Sequence, residues 1–373
     1  VADLPKIISR KKKVVRKLVT GIKMKLNNDN TTIIEGEAKL LKQEGGSIYI
    51  SCNDVSYSAD KLLICTGSET IVPPIKGLSD TPFWTSKEAL EATELPASLA
   101  IIGGGVIGME FASFFNSLGV EVNVIEMMPE ILGAMDKETS EMLRNEYTKR
   151  GVKFHLETKV VEVAKNEVFI EKNGEISSIN AEKILLSVGR KPSAENLGLE
   201  FFELEFFGRG LKVNESMQTS NPSIYAAGDV TGFSLLAHTA IREAEVAVNH
   251  ILGIDDVMSY ASIPGVVYTN PEIAGVGRTE EDLITKGEEY QAHKLPLSYS
   301  GRFVAENELS NGLCKLITNK DNQIIGCHIL GNPASELIAI AGIAINKQYT
   351  IEEFRKEVFP HPSVGEILHE ILY

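Results

Sequence analysis

The 373 residues hold 37 lysines and arginines against 51 aspartates and glutamates, a net charge of −14 at neutral pH. That balance argues against a general nucleic-acid or anionic-membrane partner. Hydrophobic residues are 43% and charged residues 24%, which suits two or three globular domains, and no apolar run reaches the ~20 residues of a membrane helix.

Leu4 to about Lys25 reads as a helix with a basic face, RKKKVVRK, and is taken as a solvated face rather than a nucleic-acid arm. The chain starts at Val1 and enters this charged segment at once, which suggests an internal start; no signal peptide is read. Thr32–Ile34, Ala38–Leu41 and Ser47–Ile50 are expected as short strands, with turns at Asn27–Asn30 and Gly45-Gly46. Lys61–Cys65 is an apolar strand ending in Thr66-Gly67-Ser68, and Pro73-Pro74 a linker. A helix over Ser86–Ala92 follows.

Leu99–Ile102 is a short apolar run that leads into Gly103, Gly105 and Gly108, spaced as G-x-G-x-x-G. A helix over Val106–Leu118, a stop at Gly119 and an alternating strand through Val120, Val122 and Val124 complete a βαβ unit. In that context the glycines predict a dinucleotide site. Gly103 permits the turn, Gly105 lets backbone approach a pyrophosphate, and Gly108 lets helix and strand pack closely. Gly104, Val106 and Ile107 lie within the same turn and helix start. Glu126 ends the second strand, 23 residues after Gly103. A carboxylate there accepts ribose hydroxyls and repels a 2′-phosphate, so NAD is expected over NADP.

Lys137–Arg150 reads as an amphipathic helix. Val152–Leu156, Thr158–Ala164 and Val168–Glu171 read as strands, with a hairpin turn at Asn173-Gly174. Lys183–Ser187 is a further apolar strand before Val188-Gly189-Arg190. Ser223–Ala227 runs into Gly228-Asp229, then a helix over about Leu236–Leu252. An acidic side chain between a strand end and a helix start is placed to hold a ribitol or ribose hydroxyl. From Ile263 the pattern becomes strand-rich with helices at the end, an α+β unit, with HPSVGE at 361–366 between the last helices.

Six ordered motifs resemble the pyridine nucleotide–disulfide oxidoreductases: GEAKL (36–40), LLICTGS (62–68), IIGGGVIGMEFAS (101–113), LLSVGRKP (185–192), IYAAGDVTG (224–232) with LLAHTA after it, and HPSVGE. The resemblance covers nearly the whole chain. It implies an α/β fold with two dinucleotide-binding (Rossmann-like) domains, the first incomplete, plus a C-terminal α+β dimerisation domain. The expected boundaries are 1–72 for a remnant of the FAD-binding domain, 73–192 for the NAD-binding domain, 193–262 for the second part of the FAD-binding and central domain, and 263–373 for the dimerisation domain.

Its site residues are carried over as follows. Ala38 would meet the FAD adenine through its backbone, and Thr66, Gly67 and Ser68 would lie along the FAD. Asp229 would hold the ribitol and phosphate region, and the Ala237 amide would approach the flavin ring. Val160 would touch the NAD adenine by its backbone, Gly189 would pass the nicotinamide side, and Glu110 would sit at the flavin–nicotinamide contact. Glu110 pairs in the family with a lysine on a helix not found here. His361 with Glu366 would be the catalytic dyad, with the carboxylate fixing the tautomer and the far nitrogen taking a proton from a dithiol. In the family this histidine serves the partner subunit, so a homodimer is implied. The implied activity is oxidation of dihydrolipoyl groups with NAD through FAD and a redox disulfide. The implied partner is the dihydrolipoyl domain of a 2-oxo acid dehydrogenase complex or glycine cleavage system, with no nucleic acid and no membrane.

Departures from the pattern qualify this. The family's N-terminal FAD-binding G-x-G-x-x-G and C-x4-C pair do not occur in these residues. Cys52 and Cys65, 13 residues apart, cannot stand in for the pair, so the chain reads as a fragment expected not to complete the cycle. The four cysteines, including Cys314 and Cys327, suit a reducing cytoplasm, and no metal site is expected. Two other readings stay open. One is a sister flavin reductase of glutathione or mercuric reductase type, against which stand Glu126 without a basic cluster and a tail, HEILY, without cysteines. The other is a non-catalytic NAD-binding dimeric module, against which stands the intact HPSVGE.

Overall fold

The computed structural model describes residues 3–307 and 311–373. The chain forms two compact units, one of Asp3–Ile71 with Gly189–Ser259, the other of Val72–Val188 with Tyr260–Tyr373.

The first unit opens with the helix Leu4–Leu26, capped by the Asp3 carboxylate, with only Leu4 and Ile8 buried. An antiparallel meander follows, Ala38–Glu44, Ser47–Cys52 and Val55–Ala59. Thr32–Ile34 is not a strand. The meander's register begins at Ala38 opposite Cys52, and the chain then turns back at Asn53 and Asp54, so no strand lies opposite residues 32–34. Both turn residues are left-handed, φ 52° and 61°, the geometry of a tight two-residue hairpin. That hairpin adds the strand Val55–Ala59, whose polar sequence hid it. Leu62–Ile64 pairs in parallel with Ile224–Ala226. Ser68–Thr70 pairs antiparallel with Arg190–Pro192. Leu40, Ile48, Ile64, Leu199, Phe202, Leu211, Ile224 and Val230 form the core.

The second unit is built on a parallel sheet ordered Lys183–Leu186, Ser98–Ile102, Glu121–Ile125, Lys153–His155. Its two central strands are buried over nearly every residue, as expected where both faces of a parallel sheet are covered. The chain passes from Ser98–Ile102 to Glu121–Ile125 on one side while the later strand Lys183–Leu186 pairs on the other, so the carboxyl end of Ser98–Ile102 is a switch point, where α/β sheets bind ligands. The helix Val106–Ser117 leaves from that end. Glu167–Lys172 and Glu175–Asn180 form the hairpin predicted around Asn173-Gly174. The C-terminal part is a five-stranded antiparallel sheet, ordered Gly265–Val267, Ile273–Gly277, Ile324–Leu330, Leu313–Asn319, Tyr290–Pro296. The helix Ala334–Asn346 packs on it through Leu337, Ile338 and Ala341. Val267, Ile273 and Leu330 of this sheet share a core with Leu99, Phe115 and Tyr147 of the parallel-sheet part. No helix among the described residues is long and apolar enough to cross a membrane.

Candidate functional site

The glycine turn follows directly from Ile102. Gly103 has φ +104°, and a Cβ on it would lie 2.5 Å from the Ser187 carbonyl oxygen. A Cβ on Gly108 would lie 2.0 Å from the Gly103 oxygen. Both positions are closed to side chains. Gly105 differs: a Cβ there meets nothing within 4 Å. Gly105 is also the N-cap of Val106–Ser117, with no side-chain hydrogen bond to the helix start. Backbone N–H groups at that end, together with the helix dipole, suit a pyrophosphate. The Val106 side chain is exposed and Ile107 half-buried.

The Glu126 carboxylate lies against this turn. Oε2 accepts from the Gly104 amide at 2.6 Å and Oε1 from the Met128 amide at 2.9 Å. Each ionised oxygen keeps a second lone-pair direction for a ribose hydroxyl. Val160 sits in the strand Lys159–Ala164, in one apolar cluster with Ile102 and Ile125. Glu110 accepts from the Tyr268 amide at 2.9 Å, and burial raises its pKa. It lines a cavity of about 310 Å³ with Ser113, Phe114, Asn116, Arg150 and Asn270. The amide donors of the turn and the accepting Glu126 carboxylate fit an NAD pyrophosphate and ribose.

In the other unit, Ala38 opens the meander and is exposed. Thr66 donates to the Ser193 carbonyl at 2.6 Å, and the Gly67 carbonyl accepts from the Ser193 amide at 2.8 Å. The Ser68 hydroxyl donates to the Asp229 carboxylate. Arg190 donates through Nε to the Ser68 hydroxyl at 2.7 Å and through Nη2 to the Ser68 carbonyl at 2.5 Å, with Asp229 4.0 Å away. Asp229 starts a 3-10 turn behind Gly228, whose amide donates to the buried Glu243 carboxylate at 2.6 Å. Ala237 is the first residue of the next helix, whose cap makes no side-chain hydrogen bond. Gly189, φ +114°, accepts from the Ile71 amide at 3.0 Å. These alcohol, carboxylate and guanidinium groups fit a polyol and a phosphate of FAD. Arg190 and Glu243 were missed by sequence reasoning. Arg190 lies within the quoted motif LLSVGRKP. Glu243 shares the helix face of Thr239, Val246 and Ala247, and a carboxylate on a buried face was its signal.

The third cluster closes the chain. His361 Nδ1 lies 2.9 Å from Glu366 Oε1, and Glu366 Oε2 accepts from the Ser363 amide at 2.8 Å. The Ser363 amide and then His361 hold the Glu366 pKa below the usual carboxylate value. Val364 and Ile367 are buried around this turn and Ser300 donates to the Ser363 carbonyl, so the dyad stands on a fixed base. The His361 side chain is 83% exposed, which leaves its far nitrogen open to a reacting partner. All four cysteines are free thiols; Cys52, Cys314 and Cys327 are buried and Cys65 is exposed.

The glycine turn, the Ser–Asp–Arg cluster beside a second strand–helix junction and the carboxylate-backed histidine fit a flavin- and nicotinamide-dependent redox protein. The sequence matches the pyridine nucleotide-disulphide oxidoreductase family over residues 1–250 and the dimerisation domain of that family over 263–372. The chain belongs to this family, and with it come FAD and NAD as cofactors and a homodimeric assembly. It is 37% identical to a dihydrolipoyl dehydrogenase of Thermus scotoductus, over 99% of this chain and 80% of that protein. To a dihydrolipoyl dehydrogenase of Geobacillus stearothermophilus it is 34% identical, over 99% of this chain and 79% of that protein. The solved LpdA of Mycobacterium tuberculosis superposes with a TM-score of 0.90 at 25% identity, covering 100% of this chain and 83% of that one. The HOCl-induced flavoprotein disulfide reductase RclA of Escherichia coli gives 0.89 at 26%, covering 100% and 86%.

Proposed function

We propose that His361 and Glu366 are the proton-handling dyad of a dihydrolipoyl dehydrogenase, with the dinucleotide sites arranged as described above. The activity is NAD-dependent oxidation of dihydrolipoyl groups by a flavoprotein disulfide oxidoreductase. Bound FAD and NAD supply the two-electron redox chemistry. Gly103–Gly108 hold the NAD pyrophosphate, Glu126 the adenosine ribose, Val160 the adenine edge, and Gly189 and Glu110 the nicotinamide side. Ala38, Thr66, Gly67, Ser68, Asp229 and Ala237 line the FAD. In this reading residues 1–72 and 193–262 serve the flavin, 73–192 serve NAD, and 263–373 pair the subunits.

The observation that carries the reading is the 2.9 Å contact of Glu366 with His361 Nδ1. It fixes the proton on Nδ1 and leaves Nε2 as the base that takes a proton from the dithiol, with Glu366 stabilising the imidazolium. The exposed ring suits a thiol carried on a long arm, and we assign the partner as a dihydrolipoyl domain of a 2-oxo acid dehydrogenase complex or glycine cleavage system. The test is NADH formation at 340 nm by the protein purified from its own source, given dihydrolipoamide, NAD and FAD. Turnover that disappears in His361→Gln supports the reading. NADH binding with no turnover in the parent protein would reduce it to a dinucleotide-binding module.

A further inference from the structure

Lys315 lies in the strand Leu313–Asn319 of the C-terminal sheet and its side chain is 0% exposed. A buried ammonium is costly unless it is paired. Three carboxylates meet it: Asp136 at 3.0 and 2.8 Å through its two oxygens, Glu138 at 2.7 Å and Glu280 at 2.6 Å. Lys294 on the neighbouring strand lies 2.8 Å from Glu138 and 3.1 Å from Glu280. Burial pulls the Lys315 pKa down, but the carboxylates outweigh it and raise the pKa above the ordinary lysine value. His328, the cross-strand neighbour of Lys315, has its pKa lowered by burial and bonds the Arg278 carbonyl through Nε2.

Asp136 is equally buried, and it caps the helix Lys137–Lys149 of the nucleotide-binding half. The segment just before it, 127–135, covers the glycine turn. The Leu132 amide donates to the Gly104 carbonyl at 3.0 Å, and Met135 donates to Leu132 at 2.7 Å. An Ile131 methyl lies 3.1 Å from where a Gly104 Cβ would be. At its start the segment leaves Glu126, whose carboxylate holds the Gly104 amide. The span is thus fastened at one end on the cofactor turn and at the other on a lysine from the family's dimerisation domain.

We infer that Lys315 is a positioning residue for NAD: it fixes Asp136, and through residues 127–136 it holds Gly104 and Glu126 in binding geometry. The inference rests on the NAD reading of the glycine turn. A rival anchor exists within the nucleotide-binding half, where Arg144 grips Glu130 at 2.8 and 3.0 Å. If that grip suffices, Lys315 has no bearing on the loop.

The test compares Lys315→Met, Lys315→Arg and Lys286→Met in the full chain. Lys286 pairs with Asp282 at 3.0 Å, outside this network, and serves as the control. Affinity is read by NADH fluorescence titration, and the loop by hydrogen exchange over residues 127–135. Lys315→Met is expected to weaken NADH binding about tenfold and to speed exchange in the loop while strands of the C-terminal sheet stay protected. Lys315→Arg is expected to restore most of the affinity and Lys286→Met to change neither readout. A folded Lys315→Met with parental affinity and parental loop exchange overturns the inference. If Lys315→Met does not fold, Asp136→Asn weakens the same pair from the loop side while keeping a helix-capping oxygen, and unchanged loop exchange there overturns it equally. If the parent protein binds no NADH, the NAD reading fails, while loop exchange still decides the anchor.

Discussion

Ser68 and Asp229 are 161 residues apart in the chain and joined by one hydrogen bond, hydroxyl to carboxylate. Arg190 holds the same hydroxyl from the other side at 2.7 Å. The serine therefore sets the carboxylate's orientation. Ser68→Ala is expected to weaken FAD retention about tenfold, and Asp229→Ala to weaken it further, since a charge-assisted partner is worth more than a neutral one. Flavin absorbance recovered with the protein after gel filtration measures both.

Two glycines a turn apart should fail in opposite ways. Gly108→Ala places a methyl 2.0 Å from a backbone oxygen that cannot move aside, and is expected to cost about 1–3 kcal/mol of stability, read by urea unfolding. Gly105→Val places its side chain in open space, where the proposed site would put the pyrophosphate. It is expected to leave stability unchanged and to abolish NADH binding.

Glu126 should decide between the two nicotinamide cofactors. Its oxygens already hold the Gly104 and Met128 amides, so a 2′-phosphate would meet a fixed negative charge. Glu126→Ala is expected to lose affinity for NADH and narrow the preference for NADH over NADPH by about tenfold or more. Parallel fluorescence titrations with the two cofactors check this.

His361→Gln is expected to lower dihydrolipoamide oxidation by about 10²–10⁴-fold, the usual contribution of a positioned base, while NADH affinity stays at the parental value. Glu366→Gln removes the acceptor that fixes the ring and should lower kcat with a changed pH profile.

Asp256 supplies a stability test. Arg242 and then Asn249 hold its pKa down to about 2. A depressed folded-state value means the contribution is present above the ordinary aspartate pKa and disappears as pH falls toward the folded one. The Tm difference between the parent and Asp256→Asn should therefore be constant near neutral pH and shrink as pH falls from about 4 to about 2. A difference that stays constant over that interval contradicts the pairing.

The parts of the fold that are legible in the sequence are those whose cause is local. Ser98–Ile102 and Lys183–Leu186 read as strands because a parallel sheet covered on both faces needs near-unbroken apolar runs, and Glu121–Ile125 because Val120, Val122 and Val124 alternate. The hairpin at Asn173-Gly174 read correctly because the turn residues specify it. Ser68–Thr70 did not, since it is a strand only by virtue of Arg190–Pro192, far along the chain. The same distinction holds at the site. The dyad of His361 and Glu366 is five residues apart and visible as a motif. Lys315 is conspicuous as a charge in a buried apolar strand, but Asp136 is 179 residues away, and nothing local names it as the partner.

The core shared by Leu99, Phe115 and Tyr147 with Val267, Ile273 and Leu330 limits how this enzyme can be recombined. Tyr147 adds a polar seam, lying 2.6 Å from the Ser113 hydroxyl and donating to the Asn270 carbonyl at 3.0 Å. A crossover placed between the parallel-sheet segment and the C-terminal sheet would cut through packed side chains. Exchange of cofactor preference with a relative should travel as one block, residues 72–188 together with 260–373, and not as the glycine-turn segment alone.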